Sequence, residues 1–310
     1  MNIAIFGATS QIAKDLIVSF ANKTSFNCTL FARNPTLVEE WKANVNLPGD
    51  YCVLSYKHFD KTTRYDVIIN FIGIGNPALA KDMGASIFDV TLEYDTIVLD
   101  YIKSNPDSQY IFLSSGAAYG GDFKEAVAIN TPAIFNINSM TSASWYGVAK
   151  FYAEARHRAL PRFSIVDIRV FNYFSSTQNL GDRFLITDLV RAIYNNESFI
   201  TTAENLVRDF ITPEDFFGMV MAVLGKTNVN LAIDCYTKSP VDKYTLLSEF
   251  SKRYGLKVSI IENHAHINAT GIKVNYFSRN KIASGFGYSP KFSSLEGLVY
   301  QLDKILSVEG

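Results

Sequence analysis

The chain has 310 residues, 48% of them hydrophobic and 19% charged, enough to bury a full core in one large α/β domain with a lobe attached or in two modest domains. With 29 basic against 30 acidic residues and a pI of about 6.4, it has no global field to draw in nucleic acid or an anionic membrane, so an anionic ligand must be met by a few local cations. Cys28, Cys52 and Cys235 are odd in number, far apart and free of CxxC spacing, which is a reduced pattern. No apolar run approaches the roughly 20 residues of a membrane span, and no basic or cleavable segment precedes the first strand, so the expectation is a soluble cytoplasmic protein.

Taken in chain order, short apolar runs rich in β-branched and aromatic residues predict strands over 3–6, 28–32, 51–55, 67–71, 110–114 and 164–170. Amphipathic stretches between them predict helices over 12–20, 35–43, 91–104 and 145–159. Strands that are apolar on both faces and separated by helices form a parallel sheet covered on both sides. The fold class is therefore α/β, a Rossmann-type doubly wound parallel sheet, with ligands beyond the carboxyl ends of the strands. After residue 170 the pattern loosens: an Asn-, Ser- and aromatic-rich stretch over 171–180, helices over 185–194, 215–224, 243–254 and 295–306, a strand over 231–235 and a loop over 284–290. This predicts a dinucleotide-binding domain over 1–170 and a smaller C-terminal substrate-binding lobe over 171–310, with residues 231–236 returning to the Rossmann sheet. His264 and His266 are closely spaced but lack a nearby third ligand, so they read as surface residues and no metal is expected.

Gly7-Ala8-Thr9-Ser10-Gln11-Ile12-Ala13 lies where the first strand turns into the first helix. A glycine permits the tight turn, and small residues let backbone N–H groups and the helix dipole approach a pyrophosphate. Ser10 and Ala13 replace the second and third glycines of the usual fingerprint, so an ordinary strand-to-helix turn is the alternative. At the end of the second strand, Arg33 stands where a carboxylate would bind the ribose 2′-hydroxyl of NAD. A guanidinium there would pair with a 2′-phosphate, which favours NADP (NADPH) over NAD; the bland alternative is a solvated arginine. Asp60 could accept from the adenine amino group or simply form a turn. Phe71-Ile72-Gly73 would give an apolar wall and a close backbone approach on the adenosine side.

Tyr146-Gly147-Val148-Ala149-Lys150 sets a phenol and an ammonium one helical turn apart on one face. An ammonium there would lower the phenol pKa from about 10 and make the hydroxyl a usable proton donor or acceptor. Such a pair also occurs on ordinary surface helices. Ser115, at the carboxyl end of the fifth strand, could hydrogen-bond the substrate oxygen that Tyr146 protonates, although a serine there is often only a turn residue.

With these motifs the chain resembles the extended short-chain dehydrogenase/reductase superfamily, in its branch of nucleotide-sugar epimerases, dehydratases and 4-ketoreductases. The resemblance rests on residues 7–13, Ser115 followed by Ala118-Tyr119-Gly120, Tyr146 with Lys150, Arg169-Val170-Phe171-Asn172, and Arg208-Asp209-Phe210-Ile211-Thr212-Pro213-Glu214-Asp215. It implies a catalytic triad of Ser115, Tyr146 and Lys150, with Tyr146, Lys150 and Phe171 also against the cofactor. It further implies substrate contacts at Ser115, Ala117, Asn172 and Arg208, the last two toward the nucleotide diphosphate. A guanidinium can meet a diphosphate bidentately, whereas the bland reading is a local Arg208–Asp209 ion pair.

Dehydratases of this branch carry Asp-Glu directly after the active-site hydroxyl residue, and here Gly116 and Ala117 stand there, which argues against dehydration. Arg33 then favours a reductase consuming NADPH: reduction of the keto group, at C4, of a nucleoside-diphosphate keto-deoxysugar, in polysaccharide biosynthesis. The alternatives are an NAD-retaining nucleotide-sugar 4-epimerase and a non-catalytic NADP-binding sensor or scaffold. Phe184, Phe210 and Tyr276 are candidates for the pocket wall. The helices over 89–104 and 145–160, with Ile97, Val98, Tyr101, Phe151 and Tyr152, imply a homodimer through a four-helix core.

Overall fold

Alternation along the first strand sorts the core into two layers. In β1 (Asn2–Phe6) Ile3 and Ile5 point to one face and Ala4 and Phe6 to the other, and all four are fully buried. The computed structural model describes residues 1–73, 83–261 and 273–307; His264 and His266 lie outside them. β1 is central in a parallel sheet ordered β11-β6-β5-β4-β1-β2-β3, built from β2 (Asn27–Ala32), β3 (Cys52–Ser55), β4 (Val67–Asn70), β5 (Gln109–Ser115), β6 (Ile165–Val170) and β11 (Asn230–Asp234). The chain returns to the sheet at β11, which pairs in parallel with β6. This is the Rossmann-type doubly wound sheet.

On the Ile3/Ile5 face pack Leu16, Ile17 and Phe20 of α1 (Gln11–Lys23) and Phe216, Met219 and Val220 of a later helix, Pro213–Val223. The opposite face, with Phe6, Phe31 and Phe112, is covered by Val98, Tyr101 and Ile102 from Ser86–Ser104 and by Ala153 from Ser142–Arg158. Each fully buried side chain of this size contributes about 1.5–3 kcal/mol, so the alternation fixes which face each helix takes. Val98 and Tyr101, expected on an exposed dimer face, are core residues because the sheet takes that side of their helix. The exposed apolar residues of these two helices are Leu92, Phe151 and Tyr152.

Beyond β6 the segments are short. β7 (Asn172–Tyr173) pairs with β10 (Phe210–Ile211), while β9 (Val207–Arg208) lies between β12 (Val241–Asp242) and β14 (Asn275–Tyr276). β8 (Ser198–Thr202) pairs with β13 (Lys257–Ile261). A third core of Phe174, Leu189, Phe210, Leu246, Phe250 and Leu298 joins them to the helices Leu185–Tyr194, Lys243–Tyr254 and Ser294–Ser307. Phe210 is buried in that core and so is not part of a pocket wall, while Phe184, partly buried, packs against it. The loop expected over 284–290 contains a 3-10 turn, Ile282–Phe286, closed by left-handed Gly287 at φ 91°. Among the described residues no helix is long and apolar enough to cross a membrane, and no group of three or more His, Cys, Asp or Glu could hold a metal ion.

Candidate active site

At the carboxyl end of β1 the backbone turns sharply at Gly7, whose φ is 77°. A Cβ there would lie 3.0 Å from the Phe71 carbonyl carbon and 3.1 Å from the Ile72 nitrogen, so both conformation and space call for glycine. The Gly7 N–H donates to Phe31 O at 3.1 Å and to the Tyr56 hydroxyl at 3.0 Å. Ser10 precedes α1 in extended conformation but makes no side-chain cap, and no acidic residue stands in the first turn. The exposed N–H groups and positive dipole end of α1 therefore face the strand edge beside Thr9, Ser10, Gln11 and Ile12. Gln11 is anchored by donating to Thr177 Oγ1 at 2.6 Å and to Asp15 at 3.1 Å. These residues fit a dinucleotide pyrophosphate.

Arg33 is exposed beyond β2 and makes no ion pair among the described residues. Its charge bears on the Tyr56 and Tyr94 phenols, whose rings are 4.6 Å apart. Tyr56, which sequence reasoning missed, thus joins the glycine turn to the Arg33 corner. Asp60 forms a turn: Thr62 Oγ1, Thr62 N and Thr63 N donate to it at 2.5, 2.7 and 2.9 Å, and these bonds hold its carboxyl to about 2.

The catalytic side forms where β5 ends against the helix Ser142–Arg158. The fit depends on two glycines. A Cβ on Gly147 would come within 2.5 Å of Ala117 O, and one on Gly116 within 2.3 Å of the Phe171 ring, so bare backbone at both lets helix, turn and Phe171 close together. A side chain at 116, such as the Asp of a dehydratase Asp-Glu pair, would begin where Phe171 sits. Ser115 Oγ accepts from Ala117 N at 3.1 Å, and Ser115 is the side chain that opposes the rise burial gives to the Tyr146 pKa. Lys150 Nζ donates to Leu113 O at 2.7 Å and Ile72 O at 3.4 Å, 4.3 Å from the Phe112 ring centroid. It also touches Gly73, where a Cβ would be 2.8 Å from Nζ. Ser115, Tyr146, Lys150, Ile72, Gly73 and Phe171 are therefore brought together.

One expectation needs correction. Burial raises the Tyr146 pKa, and the group opposing that rise is Ser115, not Lys150. The ammonium is turned toward two backbone carbonyls, with Nζ 5.9 Å from the Tyr146 ring centroid. Lys150 is itself lowered to about 8 by burial, partly opposed by Asp95, Glu154 and Asp167.

Behind the site lies a buried polar network. His157 bonds Asp167 at 2.6 Å through Nδ1 and Asp95 at 2.7 Å through Nε2; burial pulls its pKa down, but the two carboxylates prevail and hold it at about 9. Asp95 accepts from Tyr110 at 2.9 Å, Tyr110 from Asn70 at 3.0 Å, and Asn70 from Ile72 N at 2.8 Å. The chain of bonds thus ends on the backbone that Lys150 touches. Arg169, from the motif before Asn172, pairs with Glu154 and lies 4.5 Å from the Tyr119 ring, a supporting position and not a ligand contact.

On the lobe side, Arg208 does not pair with Asp209, which instead accepts from Thr237 N and Oγ1. The Arg208 guanidinium donates to the carbonyls of Val207 at 2.8 Å and Val274 at 3.3 Å and lies 5.9 Å from the Tyr276 ring centroid, and burial lowers its pKa to about 10. Lys273 lies beside it, lowered to about 8 by burial and then by Arg208. Neither cation has a carboxylate partner among the described residues. Two such buried positive charges suit an anion with more than one charge, as a diphosphate has. Asn172 donates to the carbonyls of Asp209 and Tyr276, both at 3.2 Å, so its amide nitrogen holds the lobe backbone. The Tyr276 ring lies 5.2 Å from that of Phe171, which fills the space over Gly116, whereas Lys273 was not anticipated at all.

No curated protein matches the chain in sequence. Among solved structures, the UDP-glucose 4-epimerase of Thermotoga maritima superposes with a TM-score of 0.79 at 16% identity, covering 100% of both chains. The UDP-glucuronic acid 4-epimerase of Bacillus cereus, in complex with UDP-glucuronic acid and NAD, gives 0.77 at 18%, covering 99% of this chain and 100% of that one. The dTDP-glucose 4,6-dehydratase of Bacillus anthracis, in complex with NAD, gives 0.76 at 17%, covering 99% and 97%. These similarities establish the shared fold. The family model for the NAD dependent epimerase/dehydratase family matches residues 3–232, which include the glycine turn, the Ser/Tyr/Lys set and Arg208, and the chain belongs to that family, within the extended short-chain dehydrogenase/reductases.

Proposed function

We propose that the protein uses NADPH to reduce the keto group, at C4, of a nucleoside-diphosphate keto-deoxysugar. The observation that carries this reading is Arg33, unpaired and exposed beyond β2, where a carboxylate would favour NAD. When bound, the nicotinamide supplies the hydride that reaches the carbonyl carbon. Tyr146 gives its proton to the carbonyl oxygen, Ser115 hydrogen-bonds that oxygen, and Lys150 holds the ribose hydroxyls beside Gly73. Ala117 lines the sugar side, and Arg208 with Lys273 meets the diphosphate. The residues before 171 hold the cofactor and those after it mainly the substrate.

Replacing Arg33 with Ala is expected to raise the Kd for NADPH roughly 10–100-fold and leave that for NADH nearly unchanged, since one charge-assisted contact contributes about 1.5–3 kcal/mol. Fluorescence titration with both dinucleotides checks it; an equal effect on both would remove the 2′-phosphate role.

The second reading is an NAD-retaining 4-epimerase, favoured by the two 4-epimerases among the similar structures. Denaturing the purified protein and identifying the released dinucleotide separates the two: abundant NAD supports epimerisation, whereas a protein free of dinucleotide that selects NADPH supports reduction. A non-catalytic sensor has no use for a Ser115, Tyr146 and Lys150 set gathered at one strand end.

Exposed Leu92, Phe151 and Tyr152 on neighbouring helices give this protein an apolar face suited to a twofold partner. A homodimer is expected in sedimentation, and Phe151→Asp with Tyr152→Asp is expected to yield the monomer; a monomeric wild type refutes it. The homodimer is placed in the cytoplasm, acting in polysaccharide biosynthesis.

A further inference from the structure

The first turns of α1 are tied to the lobe. Asp15, one helical turn beyond Gln11 and only 8% exposed, has no ion pair among the described residues. Its carboxylate accepts instead from three donors: the Tyr173 hydroxyl at 2.7 Å on one oxygen, and Thr177 Oγ1 at 2.6 Å and Gln11 Nε2 at 3.1 Å on the other. Gln11 Nε2 also donates to Thr177 Oγ1 at 2.6 Å, which closes a ring of bonds between helix and lobe. Burial and the Asp15 carboxylate keep the Tyr173 phenol protonated and therefore a donor. Where only donors converge, a carboxylate satisfies them all, whereas an amide would turn N–H groups toward one of them.

The lobe segment that meets Asp15 has its own anchor. Asn172 and Tyr173 of β7 pair with Phe210 and Ile211 of β10, and Phe174 N donates to Ile211 O at 3.1 Å. The N–H groups at the start of α1 lack intrahelical acceptors and are the ones that would face the pyrophosphate. We propose that Asp15 is a positioning residue for the dinucleotide: it holds the first turns of α1 against Tyr173 and Thr177, so that those N–H groups stay aimed at the pyrophosphate and the lobe takes part in cofactor binding. The inference rests on reading the glycine turn as the dinucleotide site, and not on which dinucleotide or which reaction is used there. Its physical content is preorganisation: donors already held in place lose less freedom when the anion arrives.

Tyr173→Phe removes one hydroxyl and keeps the ring against Phe216, with centroids 6.1 Å apart. The expected result is a rise of about 10-fold in Kd for NADPH and NADH alike, the scale of one hydrogen bond, since both carry the same pyrophosphate, with Kd for uridine diphosphate within about threefold of wild type. In an Asp15→Asn background the same change is expected to add nothing, because the hydroxyl acts through that carboxylate. Fluorescence titration reads the dinucleotides and calorimetric titration the uridine diphosphate. Unchanged dinucleotide affinity in Tyr173→Phe would overturn the proposal, as would an equal loss of uridine diphosphate affinity, which would make the bond a support of the lobe alone. Tighter dinucleotide binding in Asp15→Asn would also overturn it, by showing that the carboxylate acts only as a like charge to the pyrophosphate. If Tyr173→Phe has a lowered Tm, Thr177→Val, at the exposed end of the ring of bonds, gives the second variant, with the same outcomes deciding. A wild-type protein that binds neither NADPH nor NADH overturns the dinucleotide reading and this inference together, whereas one that binds either, with no effect in the variants, overturns this inference alone.

Discussion

Replacing Tyr146 with Phe is expected to lower kcat by about 10²–10⁴-fold while changing KM by less than about threefold, because the hydroxyl acts on the oxygen only as charge develops there. The ring and its burial remain, so NADPH affinity should hold, as fluorescence titration would show. Burial keeps the Tyr146 pKa raised, which leaves the phenol protonated at working pH and thus in the donor form that carbonyl reduction needs. Beside Tyr146, Lys150 is charged below about 8 and loses its charge as pH rises through that value. The rate is therefore expected to fall on the alkaline side through Lys150 and not through ionisation of Tyr146. Near wild-type turnover in Tyr146→Phe, on a substrate the wild type reduces, would remove Tyr146 from the chemistry.

Residues on the central sheet were legible because two constraints coincide there. Strands such as β1 and β5 are apolar on both faces, which marks them as parallel and buried, and the groups at their carboxyl ends, Gly7 and Ser115, then share one edge by topology. Helical spacing put Tyr146 and Lys150 on one face, and only the family resemblance implied a catalytic role for them. The lobe offered no such periodicity: β9 and β14 are two residues each, so no alternation reveals them, and Lys273 reaches Arg208 across 65 residues of sequence only through their pairing. The direction of the Lys150 ammonium was misread because spacing places a side chain on a face but does not say which carbonyls it finds. Asp167 inside the apolar run Ile165–Val170 was a visible anomaly, yet its partner His157 lies on a helix, and only the packing joins them. The same holds for Tyr56, whose bond to Gly7 depends on the crossing from β3 to the glycine turn.

Replacing Arg208 with Met is expected to weaken binding of a nucleoside diphosphate by about 2–5 kcal/mol, roughly 30- to 5,000-fold in Kd, and at the same time to raise the Tm of the ligand-free protein. The opposite signs follow from one fact: Arg208 is buried with two carbonyls but no carboxylate among the described residues, so an anion bound there compensates its charge. A long apolar side chain removes that desolvation cost, with a gain of about 1–2 kcal/mol, or roughly 1.5–3 °C for a chain of this length. Lys273 gives the pH counterpart. Its pKa is depressed from 10.5 to about 8, so affinity for uridine diphosphate alone should be full below about 8 and decline as pH rises through it. Folding stability should run the other way. Between about 8 and 10.5 the unfolded chain keeps the Lys273 proton that the folded one has released, so this group's contribution rises with pH over that window. Calorimetric titration with uridine diphosphate, beside thermal unfolding of wild type, Arg208→Met and Lys273→Met, reads both signs. If Arg208→Met lowered both affinity and Tm, the guanidinium would be a structural strut through its carbonyl bonds; if it changed neither, the diphosphate would have to lie elsewhere. A loss of affinity joined to a gain in Tm is the pattern of a cation kept for its ligand at the expense of the fold.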